Sequence, residues 1–153
     1  PLQLLYLYAS REGKTFAEVS ESSGLSNVGV NAASWADYNN DGYLDLALSP
    51  IEGGKPPLLF KNSAKFEFAD VSEAAGLKEE GSVSMNVTWA DYDRDGFVDL
   101  FQAGRGKSFL YKNNGDGTFK NATGKLPIDE KTSAYSAVWL DADNDGYPDL
   151  FLG

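Results

Sequence analysis

"DYDRDGFVD" (residues 91–99) crowds four aspartates and a glycine into nine positions, with apolar stretches on both sides. The arrangement comes back twice. "SWADYNNDGYLDLALS" (34–49), "TWADYDRDGFVDLFQA" (88–103) and "VWLDADNDGYPDLFLG" (138–153) each carry a tryptophan two places before the first aspartate and an apolar run after the last. Trp35, Trp89 and Trp139 lie 54 and then 50 residues apart, a period that marks a repeat architecture.

The similarity extends upstream of the acidic stretches. In "LLYLYASREGKTFAEVSESSGL", "LLFKNSAKFEFADVSEAAGL" and "FLYKNNGDGTFKNATGKL", Tyr8, Phe60 and Tyr111 each stand eight residues before Phe16, Phe68 and Phe119. Three units result, 2–49, 57–103 and 107–153, covering nearly the whole chain. Short apolar or alternating runs such as "PLLFKN", "FEFADVS", "MNVTWAD" and "FVDLFQA" are bounded by glycine, asparagine and aspartate, the pattern of strands. "NNGDGTF" (113–119) has the chemistry of a hairpin loop, and "EAAGL" (73–77) that of a helical turn ending at its glycine. No segment sustains a period of 3.6, so the expected class is all-β, with about four antiparallel strands per unit. Four-stranded units of this length are the signature of propeller blades. Three blades are fewer than the four to eight that typically close a ring, so two apolar blade faces are expected to need covering by further blades or by other copies.

Numbered from its first aspartate, each acidic loop presents oxygens at positions 1, 3, 5 and 9 and a glycine at position 6. The first carries Asp37, Asn39, Asp41 and Asp45 with Gly42, and the second Asp91, Asp93, Asp95 and Asp99 with Gly96. Asp141, Asp143, Asp145 and Asp149 with Gly146 form the third. Oxygen side chains at every second residue of a tight turn can converge on one point, and glycine permits the bend. Unneutralised, such charges repel by about 1 kcal/mol per pair in water and by several times that near a protein surface. A hard cation reverses the sign. Calcium suits the set best, because it accepts six to eight oxygens in flexible geometry, including the position-7 carbonyls of Tyr43, Phe97 and Tyr147. Magnesium demands a stricter octahedron, and softer metals want histidine or cysteine, both absent. About three ions, one per loop, are expected, with the first loop weakest because Asn39 is neutral. The EF-hand shares the spacing, but it closes its shell with glutamate at position 12, where this chain has Leu48, Gln102 and Leu152.

The remaining composition narrows the function classes. A formal charge of −10, with eleven of 23 acidic residues in the three loops, disfavours nucleic acid and anionic membranes as partners. Three divalent ions would bring the charge to −4. No apolar run approaches the ~20 residues of a membrane helix, and "PLQLLYLYAS" lacks the charged start and length of a signal peptide, so any targeting segment is expected outside this chain. Without cysteine or histidine there is no thiolate nucleophile, no zinc site of the usual kind and no imidazole proton shuttle. No recurrent carboxylate pair stands apart from the loops, so the chain is not expected to be an enzyme. The tryptophans, fixed within each repeat, are expected in blade cores rather than as sugar-stacking platforms. Asn86-Val87-Thr88 and Asn121-Ala122-Thr123 are sequons that could accept N-glycans.

The pattern D-x-[D/N]-x-D-G-x-x-D between strands, preceded by "WAD" and followed by "DL", resembles the FG-GAP or VCBS repeats of integrin α-subunit propellers. It is closer still to secreted microbial and animal proteins built from "LYKNNGDGTF", "DVSEAAGL" and "WADYDRDGFVDL" units. The resemblance implies a β-propeller with calcium in its blade loops, placed outside the cell or on its surface in adhesion, carbohydrate-binding and matrix roles. The FG and GAP signatures themselves are degenerate here, with only "QAG" (102–104) matching the second. The leading expectation is a calcium-binding extracellular repeat module for adhesion, binding or self-assembly, with protein, carbohydrate or copies of itself as partners. The alternatives are the propeller of a polysaccharide-acting enzyme and a lectin-like sugar binder.

Overall fold

A computed structural model describes residues 5–26, 28–129 and 132–153, so residues 2–4 of the first unit lie outside the described residues. Twelve strands run in order: β1 (Tyr8–Arg11), β2 (Thr15–Glu18), β3 (Val30–Ala36), β4 (Asp45–Pro50), β5 (Leu58–Asn62) and β6 (Phe68–Asp70), then β7 (Val83–Ala90), β8 (Asp99–Arg105), β9 (Phe109–Asn113), β10 (Phe119–Asn121), β11 (Ala137–Leu140) and β12 (Asp149–Leu152). All pair antiparallel, and among the described residues the helical content is one 3-10 turn at Thr123–Lys125. The chain is all-β, as its β-branched and aromatic runs between turn residues dictate.

The strands form two four-stranded sheets, β3-β4-β5-β6 and β7-β8-β9-β10, flanked by the two-stranded hairpins β1-β2 and β11-β12. No closed ring forms among the described residues. The strands therefore divide as two, four, four and two, and not as three sheets of four. Each four-stranded sheet takes its first two strands from one sequence unit and its last two from the next. A period looks the same wherever its boundary is drawn, which is why the sequence alone does not reveal this phase.

Side-chain alternation stacks the layers. Along β4, Leu46 and Leu48 point to one side, joining Leu25, Phe60, Phe68 and the partly buried Leu5 and Leu7 beside the first hairpin. Ala47 points the other way, into a cluster between the two sheets with Leu59, Leu100, Tyr111 and Phe119. On the far side of the second sheet, Phe101, Ala103 and Leu110 pack against Ala137, Trp139 and Leu150 of the last hairpin. Strand residues that bury both faces in this way each contribute roughly 1.5–3 kcal/mol for a fully buried large side chain.

The tryptophans divide. Trp89 packs into the central cluster 6.1 Å from Phe119, and Trp139 meets Phe101 edge-on at 6.3 Å. Trp35 departs from the expected core position: it rests 5.7 Å from Phe68 and stays 41% exposed. Tyr38 from the first acidic loop covers Phe119 beside Trp89, and no equivalent ring covers Trp35 among the described residues. The turn at 73–77 is closed by Ala75 N–H donating to Val71 O at 2.8 Å and ends at Gly76 with φ +80°. A side chain there would strike the Phe119 carbonyl, so glycine is required twice over.

Candidate metal centre

Each acidic loop joins the first two strands of a sheet: 37–45 between β3 and β4, 91–99 between β7 and β8, and 141–149 between β11 and β12. Their backbones fold alike. Position 4 is left-handed in all three (Asn40 φ +56°, Arg94 +58°, Asn144 +60°), and so is the position-6 glycine (Gly42 +88°, Gly96 +92°, Gly146 +88°). The position-1 carboxylate accepts from the glycine N–H: Asp37 from Gly42 at 2.8 Å, Asp91 from Gly96 at 2.9 Å and Asp141 from Gly146 at 3.0 Å. Position 5 accepts from the N–H of position 7: Asp41 from Tyr43 at 3.1 Å, Asp95 from Phe97 at 3.0 Å and Asp145 from Tyr147 at 2.8 Å.

Positions 1, 3 and 9 converge. One carboxylate oxygen each from Asp91, Asp93 and Asp99 lie within 4.8 Å of one another, and so do those from Asp141, Asp143 and Asp149. Either cluster could hold a metal ion. The first loop has the same backbone, with Asn39 Oδ1 turned onto the Asp41 N–H at 2.9 Å. Asp41, Asp95 and Asp145 are outside the convergent sets, and Tyr43, Phe97 and Tyr147 contribute the N–H groups just described.

The position-9 aspartates are structural as well as acidic. Asp45 and Asp99 are fully buried, and their Oδ1 atoms accept the backbone N–H groups of Asn62 and Asn113, each at 2.8 Å. Burial pushes both carboxyls up to about 6, against the pull of those bonds. Asp45 Oδ2 and Asp93 Oδ1 are buried without a hydrogen-bond partner. A buried acceptor left bare is costly, and a cation is the partner that such a site lacks.

A residue type absent from the sequence-level set completes two of the loops. Lys112 Nζ lies 2.5 Å from Asp93 Oδ2 and 2.6 Å from Asp95 Oδ2, and Lys61 Nζ lies 3.1 Å from Asp41 Oδ2. Burial disfavours the Lys112 charge, but the two carboxylates outweigh it and hold the ammonium well above the ordinary lysine range. Bonding to Lys112 holds Asp95 below the ordinary aspartate range. The ammonium thus occupies the ground of a small cation. Both lysines follow an aromatic residue in "LFKN" and "LYKN", so the repeat itself carried the signal. In the third loop no ion pair to Asp145 forms among the described residues.

The loops also touch. Asn40 Nδ2 donates to Gly96 O at 3.0 Å, and the Arg94 guanidinium lies over the Tyr147 ring at 5.3 Å. Position 4 of one loop therefore braces the bend of the next, and all three acidic turns line one end of the stack.

Residues 91–152, from the first aspartate of the second loop to the end of β12, match the family model of the FG-GAP-like repeat. That segment is similar to an FG-GAP-like repeat. Both convergent aspartate clusters lie inside it. The first loop precedes the FG-GAP-like segment but shares its left-handed positions 4 and 6 and the bonds from the N–H groups of positions 6 and 7 to the carboxylates of positions 1 and 5. No curated protein matches the chain. The ion that such repeats imply fits the residues present: the donors are all oxygen, two acceptors are orphaned, and an ammonium already stands among the carboxylates of the second loop.

Proposed function

We infer that the chain is a calcium-stabilised, non-catalytic β-propeller-type repeat module. It acts outside the cell or at its surface in adhesion, binding or assembly. The observation that carries this reading is the pair of three-aspartate clusters at equivalent places within the FG-GAP-like segment. Asp91, Asp93 and Asp99 would hold one ion, Asp141, Asp143 and Asp149 a second, and Asp37, Asn39 and Asp45 a third. Asp41, Asp95, Asp145 and the carbonyls of Tyr43, Phe97 and Tyr147 would complete the shells. The ions would cancel the repulsion that the turns otherwise carry and so stabilise the sheets. The extracellular assignment is supported by the repeat type, and no described helix is long and apolar enough to cross a membrane.

The test is calorimetric. Calcium titration should fill about three sites, with magnesium far weaker, and dialysis into EGTA should lower Tm. A ligand at a hundred times its Kd adds about 2.7 kcal/mol per site. An unchanged Tm in EGTA together with no heat of binding overturns the reading. A lectin-like role has one observation in its favour, the exposed ring of Trp35, since sugars stack on such rings. Binding on a glycan array that is lost in Trp35→Ala would establish it.

A further inference from the structure

We propose that Asn40 couples the first two ion sites: it is a positioning residue through which an ion bound in the second loop strengthens binding in the first. The coupling rests on the calcium reading above and adds to it the way in which the sites support one another.

The first two acidic loops join the leading strands of their sheets, β3-β4 and β7-β8, with β5-β6 and β9-β10 trailing. Position 4 is not a cluster position, and in both loops its side chain reaches the loop that follows. Asn40 Nδ2 donates to the Gly96 carbonyl at 3.0 Å. Gly96 stands between Asp95 and Phe97, which would complete the second shell, and its N–H is held by Asp91 at 2.9 Å. Arg94 repeats the arrangement one loop further on. Its guanidinium lies 5.3 Å from the centre of the Tyr147 ring, and a Cβ on Gly146 would come within 2.9 Å of its Nη1. Arginine rarely takes the left-handed φ of +58° seen there, and such a conformation persists where its surroundings fix it. The loops joined by Asn40 each hold an acceptor in want of a partner. Asp45 Oδ2, on a fully buried residue, and Asp93 Oδ1 are both buried without a hydrogen bond.

With an ion bound in the second loop, Asp95 and the Phe97 carbonyl fix the peptide units on either side of Gly96. The Gly96 oxygen then holds Asn40 in place, and with it the turn between Asn39 and Asp41. The first loop has correspondingly less freedom to lose when it closes on its own ion, so binding there tightens. Linkage makes the effect mutual. Charge alone works in the opposite direction. An ion in one loop weakens the negative potential that attracts a cation to the next, and salt screens that repulsion. The sign of the coupling therefore separates a positioning contact from a field effect.

The Gly42 and Gly96 amides bond to the position-1 carboxylates, so each reports its own loop in NMR spectra of the isotope-labelled chain during calcium titration. Asp91→Asn silences the second loop: it removes a charge and leaves an oxygen for the Gly96 N–H. In that variant the calcium Kd read at Gly42 should rise at least about fivefold, the low end of couplings between linked sites. Asp95→Asn, at an exposed position, silences the same loop a second way and should do likewise. Asn40→Gly keeps the left-handed backbone of position 4 and removes only the donor. In chains that carry it, silencing the second loop should leave the Gly42 Kd within about twofold, which closes the cycle. A Gly42 Kd that is unchanged or lowered when the second loop is silenced, or one that rises as much with Asn40→Gly as without it, overturns the coupling and leaves the calcium reading standing. No calcium-dependent shift at either glycine overturns both.

Discussion

Lys112 sets its ammonium 2.5 Å from Asp93, on the same carboxylate that converges with Asp91 and Asp99. A lysine and a divalent ion are therefore competitors for one cluster. Lys112→Met should tighten calcium binding at the second loop by about tenfold, the equivalent of roughly 1.4 kcal/mol. The same variant should melt below the parent in EGTA, where the lysine is the only counter-charge it loses. Titration calorimetry and thermal melts check the two signs separately.

The first loop differs from the others at position 3, where Asn39 is neutral. It should be the last of the three to fill. Asn39→Asp restores the missing charge and should raise affinity there by about tenfold, since one more carboxylate at close range is worth on the order of 1 kcal/mol or more. Titration heats resolved into three sites report the order of filling.

Gly104, in β8, has no room for a side chain. A Cβ there would run into the Ser82 hydroxyl and the Lys107 carbonyl, which are themselves hydrogen bonded at 2.7 Å. Gly104→Ala should cost about 1–3 kcal/mol, the range of overpacking in a closed site. Gly124→Ala, at a position open on all sides, should leave the melt unchanged. Denaturant midpoints of the pair provide the comparison.

The two sequons should behave differently. Asn121 is exposed at the end of β10, and its Oδ1 accepts the Thr123 N–H at 2.9 Å. Asn86 lies half-buried in β7, beside a register shift, with its Oδ1 buried and unpartnered. Secretion from a glycosylating host should modify Asn121 and spare Asn86, as read by peptide mass spectrometry.

Much of this was legible in the residues. Glycine at position 6 announced the bend, alternate oxygens announced the convergence, and the recurrence of tryptophan and aromatic landmarks announced a sheet-stacking repeat. What escaped depends on contacts between distant strands. Lys112 meets Asp95 across seventeen residues because β9 lies beside β8, and no local pattern encodes that adjacency. The full burial of Asp45 and Asp99 follows from the same trailing strands, whose Asn62 and Asn113 amides close over them. Spacing places position 5 among the oxygens of the bend without saying that its carboxylate also accepts the N–H of position 7.

The phase of the sheets carries a genetic consequence. Since every complete sheet borrows its strands from two successive periods, duplicating any window of about one period, wherever the breakpoints fall, adds one whole sheet and one acidic bend to the array. Recombination need not respect a loop to lengthen such a molecule. An internal deletion of half a period, by contrast, would abut two leading or two trailing hairpins, whose faces do not match.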